Sequence, residues 1–340
     1  MKRIATLLLF LSSLTFFGQE PLKVEKIKRI SFSESEPTPP TIVSLEQNAS
    51  SGGLAGRPAS GGTADGATAG SLSVSPTGAA IYSIPIAVPP GLQGIAPTLS
   101  ISYNSQAGNG MAGYGWNVSG ISVISRVGST LYHDGAISEV NLTPSDRFSL
   151  DGQRLMLKTG QYGKDGATYQ TEAFSHLKIK SVGVSSYGAN YGPLYFEVLY
   201  PDGSKAYYGQ TNDSRSHTDY AISYWENPQG IRITYHYHRS GNAIVIERIT
   251  YGKQHTVGDN TITFVYKSRT RPEVAYVGGI RFENNLLLER IVASVKGQEF
   301  RTYNLAYGGK HNSLGYDRLM SVQESVGFSK REPIRFSYQD

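Results

Sequence analysis

Residues Ile81 to Arg126 read IYSIPIAVPPGLQGIAPTLSISYNSQAGNGMAGYGWNVSGISVISR, and strand signals and forced turns are denser there than anywhere else in the chain. Ile81, Ile84, Ile86 and Val88 lead into Pro89-Pro90-Gly91, two residues without a backbone donor and then one free to take positive φ, so a first strand must stop there. Leu99, Ile101 and Tyr103 alternate with Ser100, Ser102 and Asn104, the period of two that gives a strand one buried and one wet face. Gly108-Asn109-Gly110 and Gly113-Tyr114-Gly115-Trp116 lack Cβ atoms where backbone has to pass beneath large rings. Val118, Ile121, Val123 and Ile124 resume the apolar pattern up to Arg126. The stretch reads as four short strands joined by turns.

Outward from this block the chain keeps folding back on itself. Val140 to Leu157 reads as a hairpin turning at Asp151-Gly152, with Phe148 and Leu150 before the turn and Leu155 and Leu157 after it. Asp-Gly recurs at Asp134-Gly135, Asp165-Gly166 and Asp202-Gly203, each read as a hairpin turn because both residues tolerate left-handed backbone. From Gly230 a loose repeat emerges: strands ending in an aromatic at Ile231 to Tyr237, Ile262 to Tyr266, Phe300 to Tyr307 and Ile334 to Tyr338. Three of them are followed by an acidic residue, arginine and an aliphatic, at Glu247-Arg248-Ile249, Glu289-Arg290-Ile291 and Asp317-Arg318-Leu319, the middle unit being lengthened by an insertion around Pro272 to Asn285. Hairpins of this size cannot bury both faces alone, so they are expected to stack into one sheet. No window sustains a helical period. The fold class is therefore all-β, a long antiparallel sheet of stacked hairpins, ending in an open edge because only Gln339 and Asp340 follow the last expected strand.

Ile-Pro-Ile, Pro-Pro-Gly, Pro-Thr-Leu-Ser-Ile-Ser-Tyr-Asn-Ser, Gly-Asn-Gly and Gly-Tyr-Gly-Trp, closing on Ile-Ser-Arg, resemble the opening of the SpvB family. A second block, Asp146-Arg147-Phe148 through Leu150-Asp151-Gly152-Gln153-Arg154-Leu155, is similar to the same family in the same order, as are Tyr162-Gly163, Asp165-Gly166 and Tyr169-Gln170-Thr171-Glu172. That family covers the N-terminal region of the Salmonella virulence plasmid B protein and the B subunits of insecticidal toxin complexes, relatives of Rhs proteins. The resemblance runs from about residue 73 to the end and implies a β-rich, shell-forming segment; the later repeats look like diverged Rhs repeats.

Composition narrows the rest. With 340 residues, 39% hydrophobic content, 23 tyrosines and 38 glycines, the chain suits broad half-wet sheets with many turns. It has no cysteine, hence no disulfide, thiolate nucleophile or cysteine-bound metal. Its formal charge of +5 becomes +3 without Lys2 and Arg3, and the basic residues are scattered, which excludes a nucleic-acid partner. Lys2 and Arg3 precede an apolar run from Ile4 to Phe17, the pattern of a signal peptide cleaved near Gly18 and too short for a membrane span. The expected organisation is a signal peptide at 1–18, a disordered Gly/Ser/Pro-rich linker at 19–72, an SpvB-like β region at 73–229, and an incomplete set of Rhs-like hairpin repeats at 230–340.

No chemistry-bearing constellation is complete. His236 and His238 share a strand face at a spacing that lets both reach one metal, but two ligands are half a site. His133 beside Asp134, and His217 near Asp213 and Asp219, read as turn residues. Glu34-Ser35-Glu36 matches the Glu-x-Glu pair of ADP-ribosyltransferases, an activity the Salmonella relative carries in a separate C-terminal domain; here it sits in the linker and reads as chance. There is no Gly-x-Ser-x-Gly elbow, no helix start follows Gly108 to Gly115 to hold a phosphate, and no carboxylate pair is fixed across a cleft. No catalytic, cofactor or metal residue is assigned. The expected function is a secreted, non-enzymatic structural module, the N-terminal part of a toxin-complex B or Rhs-like shell around a C-terminal effector. Its partner would be the downstream Rhs or toxin portion or another toxin-complex subunit. The alternative is a surface β module whose tyrosine-rich face binds carbohydrate or protein. Limited proteolysis of the secreted chain should cut first between residues 19 and 69 and leave a core starting near Leu72, and equal resistance of that stretch and the core would refute the linker assignment.

Overall fold

The computed structural model describes residues 66–254, 258–310 and 315–338, all within one compact unit, Gly61–Asp340. The expected signal peptide, the linker up to residue 65 and Glu34-Ser35-Glu36 lie outside the described residues. The organising block contributes β1 (Ser71–Val74), β2 (Ala80–Ile86), β3 (Leu99–Asn104), the two-residue pair β4 (Asn109–Gly110) and β5 (Gly113–Tyr114), and β6 (Trp116–Ser119). β1, β2, β3 and β6 form a four-stranded antiparallel sheet in that order. Gly115, at φ +78°, lies so close under Tyr103 that a Cβ would meet its ring at 2.5 Å. The apolar run after Trp116 is two strands, because Gly120 turns at φ +97° where a Cβ would stand 2.0 Å from the Thr98 carbonyl oxygen. Past it, β7 (Val123–Val127) enters a second, 16-stranded sheet.

Asp134-Gly135 is not a hairpin turn. It ends a four-residue helix, α1 (Leu131–Asp134), which Thr130 caps by accepting from the His133 N–H and Gly135 closes at φ +72°. Asp151-Gly152, at φ 48° and 83°, does turn a hairpin, from β8 (Arg147–Leu150) to β9 (Gln153–Thr159). β10 (Thr168–Thr171), β11 (Lys178–Val182), β12 (Tyr195–Leu199), β13 (Lys205–Tyr208) and β14 (Asp219–Glu226) follow, each antiparallel to the last. β14 pairs with β13 along one edge, and on its other edge Asp219, Tyr220 and Ala221 pair with Ser125, Ile124 and Val123 of β7. The eight strands close into a ring. Its inside is aromatic: Phe196 meets Phe148 and Tyr220 edge-on at 5.1 Å each and Tyr169 at 6.1 Å, all four almost fully buried.

β14 also pairs with β15 (Ile231–Ser240), so the sheet runs on past the ring. β16 (Ala243–Gln254), β17 (Asn260–Val277), β18 (Ile280–Val295), β19 (Gln298–Lys310) and β20 (Asp317–Val326) continue it as antiparallel neighbours. β21 (Ser329–Lys330) and β22 (Ile334–Arg335) both pair with β20. The insertion around Pro272 to Asn285 is the outer arm of the β17–β18 hairpin, turning at Gly278-Gly279. Beyond β22 the described residues add no further strand; the one bridge nearby joins Ala67 to Glu332.

The repeat has a physical basis that its spacing alone does not reveal. The backbone bulges beside the terminal tyrosine in three successive hairpins, between His236 and Tyr237, Val265 and Tyr266, and Ala306 and Tyr307. Each of these hydroxyls reaches back to the preceding unit: Tyr237 donates to the Ile222 carbonyl at 2.8 Å, Tyr266 to Ile246 at 2.6 Å and Tyr307 to Leu288 at 2.5 Å. Tyr338 completes the series at the Leu319 carbonyl, 2.6 Å away. The pairing also corrects one alignment. Ile249 and Ile291 face Tyr235 and Phe264 across the hairpin, and the residue facing Leu305 is Val322, so Asp317-Arg318-Leu319 sits three residues early. Asp317 instead accepts from the Thr270 hydroxyl at 2.6 Å and its N–H at 3.0 Å.

The four-stranded sheet and its loops pack on these hairpins. Ile84, Ile101 and Trp116 share one apolar core with Tyr251, Ile262, Ile291, Tyr303 and Val322. Pro89 and Pro90, which donate nothing, are held by their carbonyls: Tyr251 donates to Pro89 at 2.7 Å and the Asn260 amide to Pro90 at 3.1 Å. The Ala87 N–H donates to the Tyr303 hydroxyl at 2.8 Å, and the Leu288 N–H to the Met111 carbonyl at 2.8 Å. Tyr266→Phe should lower the stability of the full chain by about 1–1.5 kcal/mol in urea unfolding, the cost of one such hydrogen bond, whereas Tyr276→Phe on the exposed hairpin arm should leave it unchanged. Equal effects at both positions would exclude the tyrosine series as a structural element.

Candidate functional site

Period-two alternation sends every second residue of β11, β12 and β13 to the outside of the ring. Ile179, Val198 and Ala206 point in, while Lys178 and Lys180, Glu197 and Leu199, and Lys205 and Tyr207 point out. Register aligns them in rows: Lys180, Glu197 and Tyr207 face one another in one row, and Lys178, Leu199 and Lys205 in the next. Together with Lys158 of β9 and the loop Phe174 to Leu177, they enclose an open cleft of about 610 Å³ on the outer wall. Four lysines and His176 line it against a single carboxylate, Glu197. None of the four lysines forms a salt bridge with the described residues, in contrast to arginines such as Arg126, Arg147, Arg154 and Arg301.

A row of tyrosines borders the cleft. Tyr207 stacks on Tyr224 at 4.5 Å and 26°, Tyr195 lies 6.4 Å from Tyr207 on the other side, and the Arg232 guanidinium sits 4.0 Å from the Tyr224 ring centre. The Tyr195 hydroxyl donates to Glu197 Oε1 at 3.3 Å. Burial, with Tyr224 and the carboxylates Glu197 and Glu226 nearby, pushes the Tyr207 phenol up to about 12, so it stays a neutral donor near pH 7. The cleft can hold negative charge and hydroxyl groups.

The residues singled out from the sequence do not converge. His236 and His238 share the outer face of β15, opposite Arg248 and Val245, and among the described residues no three potential ligands come together for a metal. Burial, and then the Arg248 charge, hold the His236 imidazole below its ordinary range. His133 belongs to α1, where it meets Glu172 at 3.1 Å. The neighbouring Asp134 ties Arg147, at 2.7 Å, and Arg154 together; burial acts to raise its carboxyl, but the Thr130 N–H and the two arginines outweigh that and lower it. His217 stacks on Tyr187 at 3.9 Å, and its carbonyl accepts from Arg126 Nε at 2.8 Å. Asp219 accepts from Ser125, and Asp213 from the Tyr237 N–H, so both serve the framework. Gly108 to Gly115 form tight turns beneath Tyr103 and beside Asp317.

The cleft itself escaped the sequence. Lys158, Lys178, Lys180 and Lys205 are spread over 48 positions of the chain, and only Lys178-x-Lys180 hinted that they share a face.

Residues 74–271, more than half of the chain, match the family described as SpvB, Salmonella virulence plasmid 65kDa B protein. Among solved structures, the chain is similar to TcdB2-TccC3, with 17% identity and a TM-score of 0.63 over 83% of this chain and 17% of that one. It is similar to the N-terminal domain of the effector protein SpvB from Salmonella typhimurium strain LT2, with 18% identity and a TM-score of 0.55 over 72% of this chain and 99% of that one. It is also similar to the Photorhabdus luminescens Tc holotoxin pore, with 17% identity and a TM-score of 0.61 over 87% of this chain and 17% of that one. The chain thus spans about a sixth of the length of the two toxin-complex chains. No curated protein matches it.

The histidines set a pH dependence. Because the fold holds His236 below the ordinary value of 6.5, the unfolded chain takes up a proton there that the folded chain does not. Its contribution is therefore present above pH 6.5 and is lost as pH falls through the folded value. His236→Asn should lose less stability than the unsubstituted chain between pH 7.5 and pH 5 in urea unfolding, and parallel losses in the two proteins would contradict this placement.

Proposed function

The chain belongs to the SpvB family, and on that premise we propose that it is a secreted structural module, a segment of a β shell that encloses or carries an effector rather than acting as an enzyme itself. The observation that carries the proposal is the tyrosine series, in which each hairpin fastens its neighbour through the same hydroxyl-to-carbonyl bond. A wall built this way is modular: units add at one edge without altering the units before them. The shared fold with TcdB2-TccC3 and with the SpvB N-terminal domain supports a role beside toxin components, and the partner would be an Rhs or toxin portion or another toxin-complex subunit. Lys2, Arg3 and the apolar run to Phe17 support export. In this reading the segments at 1–18 and 19–72 are leader and tether, 73–229 is the SpvB-like region, and 230–340 is the stretch of shell repeats. β14 joins the last two as a shared strand.

A second reading, a surface-binding β module, is favoured by the lysine-lined cleft and its tyrosine border. The two are compatible, since the cleft lies on β9 to β13 and the addition edge at β22.

For the shell reading the expected outcome is concentration-dependent association of the purified chain through β22, seen by sedimentation, with Ile334 to Tyr338 exchanging amide hydrogens faster than the strands of the ring. A monomer at high concentration whose Ile334 to Tyr338 amides are as protected as the interior strands would overturn it.

A further inference from the structure

We propose that the cleft on the outer wall of the ring is a binding site for an anionic oligosaccharide, one carrying sulfate or carboxylate groups. The inference rests on the surface-binding reading of this cleft, whose ligand class it names, and does not require the shell reading. Its volume of about 610 Å³ falls within the range of roughly 300–1,000 Å³ typical of ligand sites. Its charge is one-sided: Lys158, Lys178, Lys180 and Lys205 make no salt bridge with the described residues, and Glu197 is the one carboxylate in the lining. Lys178 and Lys180 lie two residues apart on one strand, about 7 Å, and Lys205 lies two strands from Lys178, about 10 Å. Cations at these separations suit a chain of spaced anionic groups better than one compact phosphate, which a convergent cluster would hold.

Three further features choose among polyanions. β10 to β13 are paired along both edges, so an acidic peptide cannot dock by adding a strand and would lose its backbone hydrogen bonds. The tyrosine faces are engaged with one another, Tyr207 on Tyr224 and Tyr224 under Arg232, which leaves hydroxyl edges rather than open ring faces. Single-stranded nucleic acid relies on a run of open aromatic faces for base stacking, whereas the exposed rings of the lining, Phe174 and His176, are set edge to face with each other at 4.9 Å and offer no such run. Beside the lysines the lining has uncharged polar groups at Thr168, Gln170, Ser175 and the Tyr207 phenol, and apolar side chains at Phe174, Leu177 and Leu199 against which the face of a sugar ring can lie. The polar groups exchange hydrogen bonds with hydroxyls, the Tyr207 oxygen as an acceptor since its own proton is directed at Tyr224. Spaced cations set among uncharged polar and apolar side chains are complementary to a sugar chain with charged substituents.

The test is calorimetric titration of the full chain with a heparin-derived hexasaccharide, a neutral hexasaccharide and a single-stranded oligodeoxynucleotide of matched charge. The hexasaccharide from heparin should bind saturably, and more weakly as salt rises. Lys178→Gln with Lys180→Gln should weaken it about tenfold or more, with Lys330→Gln on β21 as an unaffected control. Should circular dichroism show that the double variant has unfolded, Lys205→Gln carries the same test, with a loss of about threefold or more expected. Absence of saturable heparin-fragment binding, an unchanged affinity in the lysine variants, or equal affinity for the neutral sugar or the oligodeoxynucleotide would each overturn the assignment. The association state and the exchange at Ile334 to Tyr338 are unaffected by these substitutions, so failure here is distinguishable from failure of the shell reading.

Discussion

The bond that the hairpin stack depends on runs from a buried tyrosine hydroxyl to the backbone carbonyl of the unit before it. Tyr237, Tyr266, Tyr307 and Tyr338 each make it, to Ile222, Ile246, Leu288 and Leu319. A phenol taken out of water without a partner costs about 1–3 kcal/mol, so each unit is stable at one register and penalised at its neighbours. Antiparallel strands with apolar residues on one face can slip by two positions without exposing that face. The hydroxyl removes this freedom. A bulge recurs beside three of the four tyrosines, where Glu247, Glu289 and Met320 of the returning strand are left out of the pairing.

The second constraint is how the organising block meets the stack. A segment rich in proline and glycine offers few donors, and this one is recognised through its acceptors, the carbonyls of Pro89, Pro90 and Met111. The donors come from Tyr251, Asn260 and Leu288 on successive strands of the stack. Trp116 closes the contact by donating from Nε1 to the Tyr338 hydroxyl at 2.9 Å, so the last tyrosine of the series also anchors the four-stranded sheet. Phe336 adds ring contacts to the same sheet, 4.5 Å from Trp116 and 5.9 Å from Tyr82.

Most of the architecture was legible because alternation and turn chemistry are local. Leu99 to Asn104 and the Asp151-Gly152 and Asp202-Gly203 turns needed only their own neighbours to be read. The failures are of another kind. Asp134-Gly135 has the composition of a hairpin turn, but Thr130 three residues before His133 makes it a capped helical turn instead. The split at Gly120 is dictated by the Thr98 carbonyl, a neighbour only in space. Asp317-Arg318-Leu319 matches its counterparts in spacing and not in register, because Asp317 is committed to Thr270. The ring closure through β7 and β14 and the lysine cleft were both invisible for the same reason: each joins residues far apart in sequence that no periodicity links.

The Trp116 to Tyr338 contact spans 222 positions, and that distance matters during synthesis. A ribosome delivers the organising block before the strands that cover its apolar side, which lie much further along the chain. Contacts of such high order close slowly, because the chain must surrender loop entropy before they repay it. Until the strands carrying Tyr251, Ile262, Ile291, Tyr303 and Val322 have been made, Ile84, Ile101 and Trp116 lack the partners that bury them, and the nascent chain displays an adhesive half-sheet that a holding chaperone would recognise. The part of the chain whose pattern is clearest on paper thus reaches its native surroundings only after the strands of the stack have been made.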